Sequence, residues 1–198
     1  RKITVSLSDD RRLARPRYVS VKDRITSFSL SPGGQRVAFT ARGDVFTVPA
    51  EHGNTRNITQ SQGVREKDAA WSPDGKWIAY FSDKSGEYKL ILESQEGLAP
   101  PREIAIANPK HYYTPSWSPD SKKILFSDTD LKVWVLDVAS GEAKVVGRDP
   151  WMVPQRTLNP VWSPDSKWVA YASRLNTLYR AIFVSNVETG ETRQVTDG

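Results

Sequence analysis

An all-β fold of the propeller class is predicted by three observations on this sequence of 198 residues. One motif occurs four times, its period suits four-stranded propeller blades, and almost no segment shows the 3.6-residue periodicity of a helix. The Ser-Pro steps of the motif fall at positions 31, 72, 118 and 163, at intervals of 41, 46 and 45 residues. A β-sandwich shares the frequent turns but does not explain this period. We therefore expect four WD40-like blades of four antiparallel strands, as part of a six- or seven-bladed ring.

The N-terminal residues lie outside the repeats. Residues 1–22 are expected to form a connector with a strand around Ile3 to Leu7, and a further strand is expected at Tyr18 to Val21. The propeller is expected over 23–198, with blades at about 23–62, 63–108, 109–150 and 155–198. Because the chain ends where another blade would begin, we expect it to be part of a longer repeat array. Four blades would leave open edges, so we expect an open arc or a chain that self-associates through its exposed blade edges, rather than a compact four-bladed ring.

Each repeat contains a tight turn that follows its first strand. Ser72-Pro73-Asp74-Gly75 is the best copy, because proline presets φ for the second turn position and glycine accepts a left-handed backbone. Ser121 and Ser166 replace this glycine in the last two repeats, and Gly33 replaces the aspartate in the first. We expect the turn to form in all four repeats with modest strain.

Three further strands are expected in each blade. After the turn, a short apolar run ends in an aromatic residue, as in Ile78 to Tyr80. Then come a second run and a short polar strand that follows a glycine-bearing turn. The predicted second strands are Val37 to Phe39, Ile78 to Tyr80, Ile124 to Phe126 and Val169 to Tyr171; the third are Asp44 to Val48, Tyr88 to Leu92, Lys132 to Val138 and Arg180 to Val187; the fourth are Thr55 to Thr59, Arg102 to Ala107, Ala143 to Val146 and Thr192 to Thr196.

A large apolar residue precedes each Ser-Pro step. Trp71, Trp117 and Trp162 occupy this place in three repeats and Leu30 in the first. Such a residue, at one fixed place per blade, fills the wedge between neighbouring sheets, so we assign it to the core rather than to a ligand.

Four residues are candidates for contact with a ligand. Trp151 lies in a proline-bounded linker and has no counterpart in the other repeats, whereas His111 lies in the connection into the third blade, just before Tyr112 and Tyr113. Arg11 and Arg12 belong to an arginine-rich stretch that could grip a phosphate or a terminal carboxylate, although a solvated connector is the simpler interpretation. No catalytic, cofactor or metal residue is predicted.

Composition excludes several functions. The chain has no cysteine, and its net charge of +5 is spread along the sequence, so neither thiol chemistry nor nucleic-acid binding is expected. No apolar run is longer than five residues, whereas a membrane helix needs about 20. No Gly-x-Ser-x-Gly elbow is present, and Asp128-Thr129-Asp130 lacks the glycine and distal glutamate of a calcium loop.

Longer phrases of the sequence resemble a known family. Residues 23–32 (DRITSFSLSP), 43–50 (GDVFTVPA) and 70–83 (AWSPDGKWIAYFSD) are similar to the propeller region of tricorn-type serine peptidases, and the similarity covers nearly the whole chain. The shorter Trp-Ser-Pro-Asp-Gly motif is shared with TolB-like propellers. No residue of the chain matches a catalytic residue of the tricorn family.

The resemblance implies a non-catalytic propeller that gates or channels peptides to the catalytic domains of a parent serine peptidase. It implies peptides and other domains of the same chain as partners, no cofactor and a cytoplasmic location, a periplasmic one being the alternative. The competing hypothesis is a TolB-like scaffold for protein interaction, with no link to proteolysis.

Overall fold

The computed structural model describes residues 19–97, 99–151, 158–176 and 179–197. Within these ranges a 3-10 turn (Lys22–Arg24) precedes sixteen strands. The first two blades contain β1 (Ile25–Leu30), β2 (Arg36–Ala41), β3 (Asp44–Pro49), β4 (Arg56–Asn57), β5 (Glu66–Trp71), β6 (Trp77–Ser82), β7 (Lys89–Ser94) and β8 (Arg102–Ile104). The next two contain β9 (Tyr112–Trp117), β10 (Lys123–Asp128), β11 (Lys132–Asp137), β12 (Ala143–Arg148), β13 (Val161–Trp162), β14 (Trp168–Arg174), β15 (Arg180–Asn186) and β16 (Thr192–Gln194).

The strands form four separate sheets, each built from four consecutive strands. Within each sheet, strands that are consecutive along the chain pair antiparallel, as β5 pairs β6, β6 pairs β7 and β7 pairs β8. This meander is the blade of a propeller, and the predicted fold class is confirmed. The strand expected at Tyr18 to Val21 is absent from residues 19–21, which run without regular structure into the 3-10 turn. The strand expected around Ile3 lies outside the described residues.

Chain direction sorts the loops onto two faces. Because successive strands run antiparallel, the connections between blades lie at the same end of the sheets as the hairpins between second and third strands. We call this end the connector face. The Ser-Pro turns lie at the opposite end, which we call the turn face. Loops that are distant in sequence are thereby brought to one surface.

The core consists of three clusters, each between two neighbouring blades. The alternation of a central strand divides its side chains between two clusters. Ile78 and Tyr80 of β6 pack toward blade 1, whereas Ala79 and Phe81 pack toward blade 3. Because both faces of such a strand are buried, β6 has the nearly continuous apolar sequence Trp-Ile-Ala-Tyr-Phe.

The tryptophans before the Ser-Pro steps lie in these clusters as predicted. Trp71, Trp117 and Trp162 each pack toward the preceding blade. The indole Nε1–H of Trp117 donates to the carbonyl oxygen of Ala70 (3.0 Å), and that of Trp162 donates to the carbonyl oxygen of Ser116 (3.1 Å). Leu30 occupies the equivalent place in blade 1 and is 62% exposed, since no described blade precedes it.

All four turns adopt the predicted geometry. The backbone is left-handed at Gly34 and Gly75, and also at Ser121 (φ 60°) and Ser166 (φ 61°). In the turn of blade 2, the Ser72 hydroxyl donates to Asp74 Oδ1 (2.6 Å) and accepts the N–H of Trp77 (2.9 Å). The serine therefore satisfies polar groups on both sides of the turn.

No helix among the described residues is long and apolar enough to cross a membrane.

Candidate ligand site on the connector face

A cavity of about 720 Å³ opens at the connector face where the first three blades meet. It lies at the starts of the inner strands β1, β5 and β9, beside the hairpin between β2 and β3. The lining residues are Arg24, Thr26, Arg42, Gly43, Val64, Arg65, Glu66, Lys67, Asp68, His111 and Tyr113. The volume is in the range of small-molecule and peptide sites.

The hairpin between β2 and β3 fixes one rim of the cavity. Arg42 (φ 57°) and Gly43 (φ 90°) are both left-handed, the geometry of a two-residue type I′ turn. A Cβ at Gly43 would lie 2.9 Å from the carbonyl oxygen of Val64, so glycine is required for this close approach. The Gly43 carbonyl accepts the N–H of Glu66 at 2.8 Å. The turn of blade 1 is thereby joined to the start of β5, and Arg42 and Arg65 line the same cavity.

The wall of the cavity is organised around Lys67, whose residue exposure is only 6%. Its ammonium donates to His111 Nε2 (2.9 Å) and to the carbonyl oxygen of Tyr112. Nζ lies 3.6 Å from a carboxylate oxygen of Asp68. This side chain of the second blade thus contacts two residues of the segment that opens the third.

Aromatic rings surround the Lys67 ammonium. Nζ lies 5.2 Å from the ring centroid of Tyr88, 5.3 Å from that of Tyr113 and 5.8 Å from that of Phe81, all within cation–π range. The His111 ring contacts Tyr88 and Tyr113 edge-on, with centroids 5.3 and 5.0 Å away. The cage replaces part of the hydration that the ammonium loses.

Burial controls the protonation of this pair. It lowers the pKa of Lys67, against the opposing charge of Asp68. Burial also lowers the pKa of His111, and the charges of Lys67 and Arg65 lower it further. The neutral imidazole is therefore favoured at neutral pH, and its Nε2 can accept a hydrogen bond from the Lys67 ammonium.

The rim of the cavity carries an excess of positive charge. The side chains of Arg24, Arg42 and Arg65 are exposed, and none of them is in an ion pair with a carboxylate of the described residues. Glu66 does not neutralise them directly, because its two carboxylate oxygens accept the Ser61 hydroxyl at 2.9 and 2.8 Å. Burial raises the pKa of Glu66, and the hydrogen bond from Ser61 opposes this shift.

The two described contact candidates occupy different places on the connector face. His111 lines the cavity. Trp151 does not line it; it follows β12 on the connection to blade 4 and is 40% exposed. The Arg174 guanidinium holds this connection by binding Asp149 (2.9 Å) and the carbonyl oxygen of Trp151. Arg11 and Arg12 lie outside the described residues.

Sequence reasoning missed the arginines and Lys67, although one signal could have revealed part of the set. Arg24, Arg65 and His111 each stand six positions before the Leu30, Trp71 or Trp117 that ends the inner strand. The sequence repeats this spacing at Arg156, which lies outside the described residues. Lys67 gives no comparable signal, because its partners come from other strands.

Comparison with known proteins decides the family. The family model described as "Tricorn protease second beta propeller domain" matches residues 25–198. The chain belongs to this tricorn propeller family. One relative of this tricorn propeller, the tricorn protease homolog of Saccharolobus solfataricus, is 25% identical over 171 residues, which cover 86% of this chain and 15% of the homolog. The chain thus spans less than a sixth of that relative.

Solved structures support the fold of the tricorn propeller chain. The crystal structure of the tricorn protease superimposes with a TM-score of 0.70 at 16% identity, covering 87% of this chain and 17% of that one. TolB from Acinetobacter baumannii gives a TM-score of 0.62 at 16% identity, with 87% of this chain and 43% of TolB covered. At such identities the superpositions show a shared propeller fold only.

Proposed function

We propose that this chain is a non-catalytic propeller portion of a tricorn-like serine peptidase, in which it guides peptide substrates and supports the catalytic domains. The match of residues 25–198 to the tricorn propeller family carries the proposal. The peptide partners, the other domains of a parent chain and a cytoplasmic location are parts of the same proposal. On blade 1, Phe28 is 69% exposed and Leu30 is 62% exposed, and these apolar side chains also favour contact with a further blade or a second copy of the chain.

The connector face supports a role in handling peptides. The open cavity on that face offers charged and aromatic side chains to a ligand. Loops at one face of a propeller are the usual place of ligand contact, because the sheets beneath them form a rigid support. A chain that guides peptides needs such a surface and needs no nucleophile of its own.

The first test is the denatured mass of the native gene product, detected in source cells with an antibody against this chain. A band several times 22.2 kDa is expected, together with peptidase activity in the immunopurified product. The isolated 198-residue chain should be inactive. A band near 22.2 kDa would contradict the proposal, and so would activity of the isolated chain that a serine-directed reagent abolishes.

The guiding role is tested separately on the native product. A Fab directed to the connector face should slow hydrolysis of a long peptide and leave a short chromogenic substrate unaffected. A Fab directed to the turn face serves as the matched control. Equal inhibition of long and short substrates by both Fabs would argue against guidance by this face.

A further inference from the structure

We propose that the connector-face cavity is a binding site for carboxylate groups of peptides, with Arg24, Arg42 and Arg65 as the residues that bind them. The inference rests on the proposed function for the class of ligand, a peptide. The carboxylate is inferred from the charges around the cavity.

The rim of the cavity is positively charged. Three guanidinium groups line one cavity and have no carboxylate partner among the described residues. Elsewhere in the described chain, Arg174 is paired with Asp149 and Arg193 with Glu191, so charge pairing is available to arginine in this protein. Unpaired cations around a cavity concentrate anionic ligands near it.

The backbone of the rim is held by regular structure. Arg24 immediately precedes β1, Arg65 immediately precedes β5, and Arg42 lies in the type I′ turn that the Gly43–Glu66 hydrogen bond ties to β5. Their backbones are therefore fixed by three elements that pack together. Guanidinium forks bind carboxylates through two parallel hydrogen bonds, and fixed backbones reduce the entropy lost when they do so.

The wall of the cavity offers aromatic rings to a ligand rather than a free cation. The Lys67 ammonium is already engaged by His111, Tyr112 and Asp68, so it does not compete for the ligand. His111 and Tyr113 present ring surfaces to the cavity beside the arginines. An anionic group bound at the rim would bring the adjoining apolar part of a peptide against these rings.

The experiment measures binding to the 198-residue chain by fluorescence anisotropy, with three peptides labelled at the N-terminus. One has neutral side chains and a free C-terminal carboxylate, one has the same sequence with a C-terminal amide, and one is amidated with an internal glutamate. The amidated neutral peptide should bind at least about tenfold more weakly than either acidic peptide, because it has no charge-assisted bond to offer. The two acidic peptides distinguish a terminal from a side-chain carboxylate.

The variant that tests the role of the rim carries the three substitutions Arg24→Gln, Arg42→Gln and Arg65→Gln together. Its control replaces three exposed arginines away from the cavity, Arg56→Gln, Arg180→Gln and Arg193→Gln, which lowers the net charge by the same amount. We expect the first variant to lose acidic-peptide affinity about tenfold or more and the second to lose little. Exposed substitutions should leave the fold intact, and near-ultraviolet circular dichroism of the tryptophans checks this.

Equal affinity for the acidic and amidated peptides would overturn the proposal, and so would an equal loss of acidic-peptide affinity in both triple variants. The proposal would also be overturned if no peptide bound at about 1 mM, which corresponds to a binding free energy of only about −4 kcal/mol. Stronger competition by a single-stranded oligonucleotide than by the acidic peptides would also overturn it. None of these results bears on the mass or activity of the gene product, so failure here is separable from failure of the proposed function.

Discussion

At the scale of single residues, Ser121 and Ser166 show why the third and fourth turns depart from glycine. Both residues bear the left-handed backbone that glycine adopts in the first two repeats. The Ser121 hydroxyl accepts the N–H of Asp74 at 3.0 Å, and the Ser166 hydroxyl accepts the N–H of Asp120 at 3.1 Å. Each serine therefore connects its own turn to that of the preceding blade, which offsets the cost of the strained φ.

Substitutions at Ser166 should separate the stabilising effect of the hydrogen bond from the destabilising effect of the left-handed backbone. Ser166→Ala removes the hydrogen bond and keeps the strain, so it should lower the free energy of unfolding by about 1 kcal/mol. Ser166→Gly removes the same bond but relieves the left-handed backbone, so its loss should be smaller. Urea unfolding midpoints at constant m-value measure the order. A larger loss for glycine than for alanine would show that strain is not part of the balance.

Replacing the turn glycine of blade 2, Gly75, by serine is the converse change, and we expect a corresponding result. A Cβ at Gly75 would lie 3.8 Å from the Pro32 ring, which leaves room for a side chain. Gly75→Ala should lose about 1 kcal/mol because of its φ of 74°. Gly75→Ser should lose less, because its hydroxyl can accept the N–H of Gly33, the counterpart of Asp74. Equal losses for alanine and serine would mean that no such bond forms.

At the scale of elements, the contact of Lys67 with His111 and Tyr112 connects the inner strand of blade 2 to the segment that opens blade 3. The contact is backed by stacking of Phe81 on Tyr112, whose ring centroids are 5.2 Å apart. Two of the cage rings, Phe81 and Tyr88, also belong to the hydrophobic cluster between these blades, so the polar and aromatic contacts are continuous with the core.

Removing the ammonium should weaken this junction. Lys67→Met keeps the apolar stem but leaves the Tyr112 carbonyl and His111 Nε2 without their donor, so we expect a loss of about 1 to 3 kcal/mol in unfolding free energy. Lys89→Met is the control, because its ion pair with Glu103 (3.0 Å) is exposed and should contribute less than about 1 kcal/mol. Similar losses in both variants would contradict a special role for the Lys67 cage.

The same junction predicts a pH dependence. The pKa of His111 is lowered from 6.5 in the folded state, so the unfolded state binds more protons between the folded value and 6.5. The contribution of neutral His111 to the free energy of unfolding is complete above pH 6.5 and is lost as the pH falls through the folded-state pKa. His111→Gln should therefore show a flatter stability profile in this window. Burial raises the pKa of Glu66 and of Glu93, which gives the opposite slope, but these terms are common to both proteins and cancel in the comparison.

The repeats were predictable at this scale, whereas most of the site was not. The Ser-Pro turns and their tryptophans act through local geometry and a fixed position in each blade, so their spacing alone predicts blades, turns and core. The Lys67–His111 contact joins residues 44 positions apart through a bulged inner strand. Only the packing of neighbouring sheets brings such side chains together. His111 could therefore be predicted as a ligand contact, whereas its contact with Lys67 could not.

At the scale of the whole molecule, blade 1 leaves one apolar face uncovered in the described residues. Cross-strand pairing aligns Phe28, Phe39 and Phe46 in one row, and Leu30, Val37 and Val48 in the next. Phe28 is 69% exposed and Leu30 62% exposed. These are the positions that in the other blades pack against a preceding neighbour, so the face is suited to a further blade or to a second copy of the chain.

We expect the isolated chain to self-associate through this face. The double variant Phe28→Ser and Leu30→Thr should shift the association to higher protein concentration in sedimentation velocity, because it removes the two most exposed apolar side chains from the face. Tyr179→Ser, at a residue that is 70% exposed on blade 4, should leave the association unchanged. A wild-type chain that stays monomeric at all concentrations would contradict the expectation.

The indole bonds of Trp117 and Trp162 point the same way, from a blade to its predecessor, whereas the indole N–H of Trp71 donates to the carbonyl oxygen of Gly75 in its own blade (3.3 Å). Trp117 donates to blade 2, and Trp162 donates to blade 3. An interface with this polarity is heterologous, because it joins two different surfaces of neighbouring blades. Blades can therefore be added one after another until the rotation between them closes a ring. A gene that gained or lost one repeat would still present a matching apolar contact at the new junction, since Trp71, Trp117 and Trp162 all pack toward the preceding blade. Blade number in such proteins can therefore change by whole units without the invention of a new interface.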